Sequence, residues 1–294
     1  MFSTFILLLL FSSTSANAEL QPTKNIFILA GQSNMAGRGG VFDDKWDGVV
    51  PTQCQPNPLI FRLSAELDWE EAKEPLHADI DLNRTCGVGP GMAFANAIQE
   101  MVPKIGSVGL VPCAIGGTNI SEWRRGMKLY NQLVYRTKAS LEGGGTIRAM
   151  LWYQGESDTI NRVDAENYQA NLEEFFEDLR HDLQFPRLPI IQVALASAEG
   201  PYEHIVRHAQ LGLRLLNVWC VDAKGLQLKE DHLHLTTLAQ VRLGQMLAQE
   251  FIRTLQSPTA LIHNTASTSN SHTYSLQDSC KWMYLLICAI IIIM

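Results

Sequence analysis

The chain predicts one doubly wound α/β domain, with helices on both faces of a mostly parallel sheet. Three observations carry this. Short runs rich in Ile, Val and Leu recur along the chain, apolar on consecutive positions as in strands covered on both faces. Segments with helical spacing separate these runs. Strand and helix alternate five times within residues 24–256, the pattern of a chain built from βα units.

The first strand is expected at residues 25–30, and residues 38–90 follow it with few periodic signals and several turn formers. That region reads as a long insertion or loop. A helix over 91–101 then leads to a second strand at 107–111, and a helix over 128–141 to a third at 147–153. Next, Tyr168, Leu172, Phe175, Phe176 and Leu179 recur at helical spacing, with Glu173, Glu174, Glu177 and Asp178 facing away. Strands at 189–195 and 218–221 flank a helix over 203–216, and a last helix spans 237–255. Thr237 and Gln240 have the spacing of a capping box at its start.

Length and charge bound the function classes. The 294 residues suffice for a core without a metal or disulfide framework. The net charge of −7 is spread along the chain, and nothing basic enough to track phosphates is present, which argues against nucleic acid as a partner. No CxxC or Cys/His cluster marks a metal site, and no cofactor is expected.

Both ends read as processing segments. Residues 1–18 hold an apolar run and end in Ala16-Asn17-Ala18, the pattern of a signal peptide, although Lys and Arg are missing from its start. Residues 257–281 form a polar linker and residues 282–294 a hydrophobic tail. Thirteen helical residues rise only about 20 Å, short of a hydrocarbon core of about 30 Å. Small residues at Ser269, Asn270 and Ser271, a polar spacer and this tail match the order of a glycolipid (GPI) anchor signal; an uncleaved tail is the alternative. A secreted protein, tethered to the membrane if the anchor is used, is therefore expected. Secretion permits disulfides, and Cys54 with Cys86 is the preferred pair because both sit in loop-like sequence. Cys113 and Cys220 follow strand-like runs and are expected as buried thiols. Asn83-Arg84-Thr85 is a glycosylation sequon in a polar stretch.

The residues able to carry chemistry fall at the predicted strand ends, where open parallel sheets bind ligands. Gly31-Gln32-Ser33-Asn34-Met35-Ala36-Gly37 follows the first strand. A serine on such a turn presents its hydroxyl at the sheet edge among backbone N–H groups; a capped turn is the plainer reading. Gly116-Gly117 ends the second strand and can bring a backbone N–H to an oxyanion, or simply form a βα turn. Trp152-Tyr153-Gln154-Gly155-Glu156-Ser157-Asp158 ends the third, with Gln154 as a neutral amide donor, Glu156 as a buried structural group and Asp158 as a cap. Asp231-His232-Leu233-His234 precedes the last helix, and in such a turn the carboxylate can orient His234 as a base. His232 is the rival base.

In this order, Gly-Gln-Ser-Asn-Met-Ala-Gly, Gly-Gly-Thr-x-Ile, Trp-Tyr-Gln-Gly-Glu-Ser-Asp and Asp-x-x-His resemble the SGNH hydrolase superfamily, and within it the sialate O-acetylesterase-like branch, carbohydrate esterase family 6. Gly87-Val88-Gly89-Pro90-Gly91-Met92 resembles plant members of that branch. The resemblance implies a flavodoxin-like three-layer α/β/α fold on a five-stranded parallel sheet. It implies a serine esterase that removes acetyl groups from carbohydrate, with Ser33 as nucleophile, Asp231 as orienter and His234 as base. The implied oxyanion donors are the N–H groups of Ser33 and Gly117 and the side chain of Gln154; the wider superfamily has Asn at that last position. A general or lipid ester hydrolase on the same fold, and an inactive carbohydrate-binding homologue, are the competing readings.

Overall fold

The computed structural model describes residues 23–256; the expected leader, linker and tail lie outside the described residues. In chain order the elements are β1 (Asn25–Gly31), α1 (Ser33–Ala36), β2 (Val41–Phe42), β3 (Lys45–Trp46), β4 (Ile60–Leu63), β5 (Trp69–Glu71) and α2 (Pro90–Met101). They continue with β6 (Val108–Pro112), α3 (Lys128–Ala139), β7 (Thr146–Tyr153), α4 (Arg162–Asp182), β8 (Ile190–Ala194), α5 (Glu203–Gly212), β9 (Val218–Asp222) and α6 (Thr237–Gln256).

The main sheet runs β5-β4-β6-β1-β7-β8-β9. The five expected strands are β1, β6, β7, β8 and β9. Numbered by their own order they lie 2-1-3-4-5, all paired in parallel, the flavodoxin-like arrangement. The sheet has seven strands, however, not five. β4 adds to β6 in parallel, and β5 closes the edge antiparallel to β4. Both lie in the stretch expected to be loop. They are too short to show a period, and polar side chains hold them in place. Arg62 on β4 donates to Glu70 on β5 (2.6 Å), to Asp79 (2.7 Å) and to the Leu76 carbonyl (2.8 Å). Arg136 of α3 donates to the carbonyls of Leu63 and Ser64.

The runs are apolar throughout because the sheet is covered on both sides. Phe27 of β1 meets Phe94 of α2 and Phe251 of α6 edge-on, both at 4.9 Å. Trp152 of β7 packs against Phe175 of α4 (4.7 Å) and Trp123 (5.2 Å) on the opposite face. Tyr130 of α3 joins that second cluster, and α5 packs beside α4. This makes three layers, with the core along β1 and β7.

Two local expectations need correction. The cap of α6 is Thr236, whose hydroxyl accepts the Ala239 N–H (3.3 Å), while Gln240 is buried and donates to the Asn34 carbonyl (3.1 Å). Cys54 and Cys86 are not paired: both are buried free thiols, as is Cys113, and Cys220 is a half-buried free thiol. Cys86 instead receives a hydrogen bond from Arg38, 3.4 Å away. Loop-like composition made them the preferred pair, but the loops fold back onto the core and bury each thiol separately.

β1 lies between β6 and β7, so the chain departs to opposite sides of its carboxyl end. That is the switch point where such sheets open a crevice.

Candidate active site

Ser33 stands at this point. Gly31 has φ of +130°, and a Cβ there would collide with the Tyr153 carbonyl, so only glycine lets β1 end so close to β7. Gln32 N–H then donates to Tyr153 O (2.8 Å), and the chain turns at once into α1, with Ser33 as its first residue. Ser33 is 5% exposed and lines a cavity of about 620 Å³ together with Arg38, Gly116, Gly117, Asp231 and His234.

Three expected residues meet here. His234 Nε2 is 3.0 Å from Ser33 Oγ, and His234 Nδ1 is 2.9 Å from Asp231 Oδ2. Asp231 Oδ1 also accepts the N–H groups of Leu233 and His234, each at 2.9 Å. One carboxylate thus closes the turn and holds the ring. In the tautomer that donates Nδ1–H to Asp231, Nε2 faces the serine hydroxyl as an acceptor, an arrangement able to take up a proton. His232, the rival, sits at φ of +55° with its side chain exposed and no side-chain hydrogen bond among the described residues.

The two loops are tied together by Asn34. Its Oδ1 accepts the Leu235 N–H (2.9 Å), and its Nδ2 donates to Leu233 O (3.2 Å) and Glu156 Oε1 (2.8 Å). Glu156 is fully buried, in the structural role expected of it, and its surroundings push it up to about 7 because burial disfavours the charge.

Burial pushes the Asp231 carboxyl upward, but the His234 N–H, the His234 ring and the Leu233 N–H outweigh it and hold it at about 2. For His234, burial lowers the pKa and the Asp231 contact only partly offsets it, leaving it below the ordinary value. A base must be neutral to take a proton. The acid limb of kcat/KM for a short aryl ester is therefore expected below pH ~6.5, the unperturbed histidine value. A pH–rate profile checks this; an acid limb above that value contradicts it.

The backbone N–H groups of Ser33 and Gly117 have no acceptor among the described residues, and both residues line the cavity. Gly117 is exposed at φ of +69°. Gln154 is not at this site. It is fully buried, and its amide nitrogen donates to Asp158 Oδ2 (2.6 Å) and Thr118 O (2.8 Å), with Gln32 Oε1 at 3.3 Å. Its donors are consumed in bracing the floor beneath the turn, so the expected oxyanion role is withdrawn. Asp158 acts as a cap, but on the short helix at 120–123: its carboxylate accepts the Ile120 N–H at 3.1 Å.

Arg38 and Asp81 are among the residues at the site that carried no expectation. Arg38 lines the cavity and is ion-paired with the buried Asp81. Arg38 directly follows the serine-bearing block and was open to notice. Asp81 lies in aperiodic sequence and had no local signal.

A family model described as carbohydrate esterase, sialic acid-specific acetylesterase, matches residues 23–253. The chain belongs to this family. It is 59% identical over 238 residues to a protein described as a probable carbohydrate esterase of Arabidopsis thaliana, covering 79% of this chain and 91% of that relative. The X-ray structure of an Arabidopsis thaliana protein, 58% identical, aligns with a TM-score of 0.77 over 79% of this chain and 99% of that chain. NanS, at 17% identity, has the same fold, with a TM-score of 0.65 over 80% of this chain and 98% of its own. Membership of the sialic acid-specific acetylesterase family makes the chain a carbohydrate esterase, a carboxylic ester hydrolase.

Proposed function

We propose that this carbohydrate esterase removes O-acetyl groups from sugars by two-step acyl transfer through Ser33. The observation that carries the mechanism is the 3.0 Å contact between His234 Nε2 and Ser33 Oγ, with Asp231 behind the ring. His234 takes the Ser33 proton as Oγ attacks the acetyl carbonyl. The oxygen that becomes negative accepts from the N–H groups of Ser33 and Gly117. His234 returns the proton to the sugar oxygen, the C–O bond breaks, and an acetyl-enzyme remains. Water then gives its proton to His234 and attacks the acyl carbon. Collapse releases acetate, and the proton returns to Ser33.

The cavity wall supports sugar as the alcohol. Asp43, Asp44, Arg84, Glu199 and Lys229 line it, against Val41 and Leu233 as its aliphatic members. A long acyl chain there would lie among charges. One observation favours a second reading, a hydrolase of longer acyl esters. A neighbouring cavity of about 610 Å³ shares Gly116 and Gly117 with the first and has Ile80, Leu82, Ile115 and Met127 in its wall.

An aryl ester series from acetyl to octanoyl separates the two readings. Activity is expected to be highest with acetyl and to fall at least tenfold by butyryl, with acetate released from acetylated polysaccharide. A maximum at octanoyl would establish the second reading instead.

A further inference from the structure

The expected oxyanion turn, Gly116-Gly117, is held from behind by a buried carboxylate. Asp81 has a fully buried side chain, and its Oδ2 accepts both the Arg38 guanidinium and the Gly116 N–H, the latter at 3.1 Å. Its Oδ1 is buried with no hydrogen-bond partner among the described residues. Arg38, 5% exposed at the side chain, also donates to the Gly37 carbonyl at 2.9 Å. The pair therefore connects the loop after α1, the loop before α2 and the turn after β6. The fit is close: a Cβ built on Gly116 would lie 2.6 Å from Arg38 Nη2, 3.2 Å from Asp81 Oδ2 and 3.4 Å from Ser33 Cβ. A Cβ built on Gly117, by contrast, would meet nothing within 4 Å, so the packing that fixes this turn falls on Gly116.

We propose that Asp81 is a positioning residue: it pins the Gly116 N–H so that the adjacent Gly117 N–H faces the oxygen that becomes negative when Ser33 attacks. Arg38 has two tasks in this arrangement. It orients Asp81, and it cancels a negative charge that would otherwise oppose the developing oxyanion. Stability alone does not account for the pair, because the desolvation of two buried charges largely offsets their attraction. A small misplacement near the reacting atoms, by contrast, can cost on the order of 10²-fold in rate. The inference rests on the serine mechanism proposed above.

The test compares neutral doubles. Arg38→Met with Asp81→Leu removes both charges and the acceptor for Gly116; Arg38→Met with Asp81→Asn removes the charges but retains an acceptor. Rates on para-nitrophenyl acetate are referred to the fraction of enzyme labelled by a fluorophosphonate. The Leu double is expected to lose about 10- to 100-fold in kcat, less than the removal of a whole oxyanion donor, with KM little changed. Its affinity for an alkyl boronate, which forms a tetrahedral adduct on serine, should weaken by the same factor. The Asn double should recover most of both. Equal kcat per labelled site in the wild type and the Leu double, or a loss in KM alone, overturns the proposal. If the Leu double does not fold, Asp81→Glu decides. Its longer side chain displaces Gly116 while keeping the charge, and unchanged kcat overturns the proposal. Wild-type enzyme that takes no label at Ser33 would refute the serine mechanism itself, whereas normal labelling with unimpaired variants refutes only the role of Asp81.

Discussion

Ser33→Ala is expected to lower kcat on para-nitrophenyl acetate by on the order of 10⁴–10⁶-fold, the scale seen when a serine nucleophile is removed. The thermal midpoint should stay near that of the wild type. The hydroxyl has His234 as its side-chain partner, and removing it leaves a nitrogen facing the cavity rather than a polar group sealed in the core. The turn itself is held by groups the substitution leaves intact: Gly31, the Gln32 N–H and the Asn34 bridges. Steady-state kinetics beside a thermal melt checks both halves. A variant with activity near wild type would move the chemistry elsewhere, and one that loses activity by unfolding would leave the question to kinetics on the folded fraction.

The second large effect concerns the base. His234→Ala is expected to cost nearly as much as Ser33→Ala, and the double variant little more than either single one, because in the proposed mechanism the two groups act as a unit. Asp231→Asn should cost less, since the amide can still accept from the Leu233 and His234 N–H groups through one oxygen but no longer fixes the ring tautomer. His232→Ala is the internal control. Its side chain is exposed and makes no hydrogen bond among the described residues, so His232→Ala should leave kcat near that of the wild type. Additive losses at Ser33 and His234 would dissolve the triad as a unit, and a crippling His232→Ala would give the base to that residue.

What was legible in the sequence follows from what leaves a local pattern. β1, β6, β7, β8 and β9 are buried on both faces, so each reads as an unbroken apolar run, and their order along the chain was enough to predict a doubly wound sheet. Ser33, Asp231 and His234 stand beside such strands or on a short turn, where sequence spacing and spatial reach coincide. β4 and β5 left no such mark. They are held by Arg62 bonding to Glu70 and Asp79, 8 and 17 residues on, and by Arg136, 73 residues from Leu63, separations that follow no strand period. Gln154 shows the converse limit. Its place at a strand end was visible, but the direction of its side chain depends on Thr118 and Asp158. Asp81 was invisible for both reasons, being outside any periodic element and partnered with residues before and after it in the chain. Helix ends blurred as well: the expected helix ran to Leu216, yet α5 stops at Gly212 and the chain turns through Asn217, at φ of +55°, into β9.

The most direct test is to catch the proposed acetyl-enzyme. Wild-type enzyme mixed with excess para-nitrophenyl acetate and quenched in acid within the first turnovers should gain the mass of one acetyl group. Peptide mapping should place that group on Ser33, and the His234→Ala and Ser33→Ala proteins should stay unmodified under the same conditions. Acetyl found reproducibly on another side chain, with Ser33 unmodified while turnover proceeds, would contradict the account.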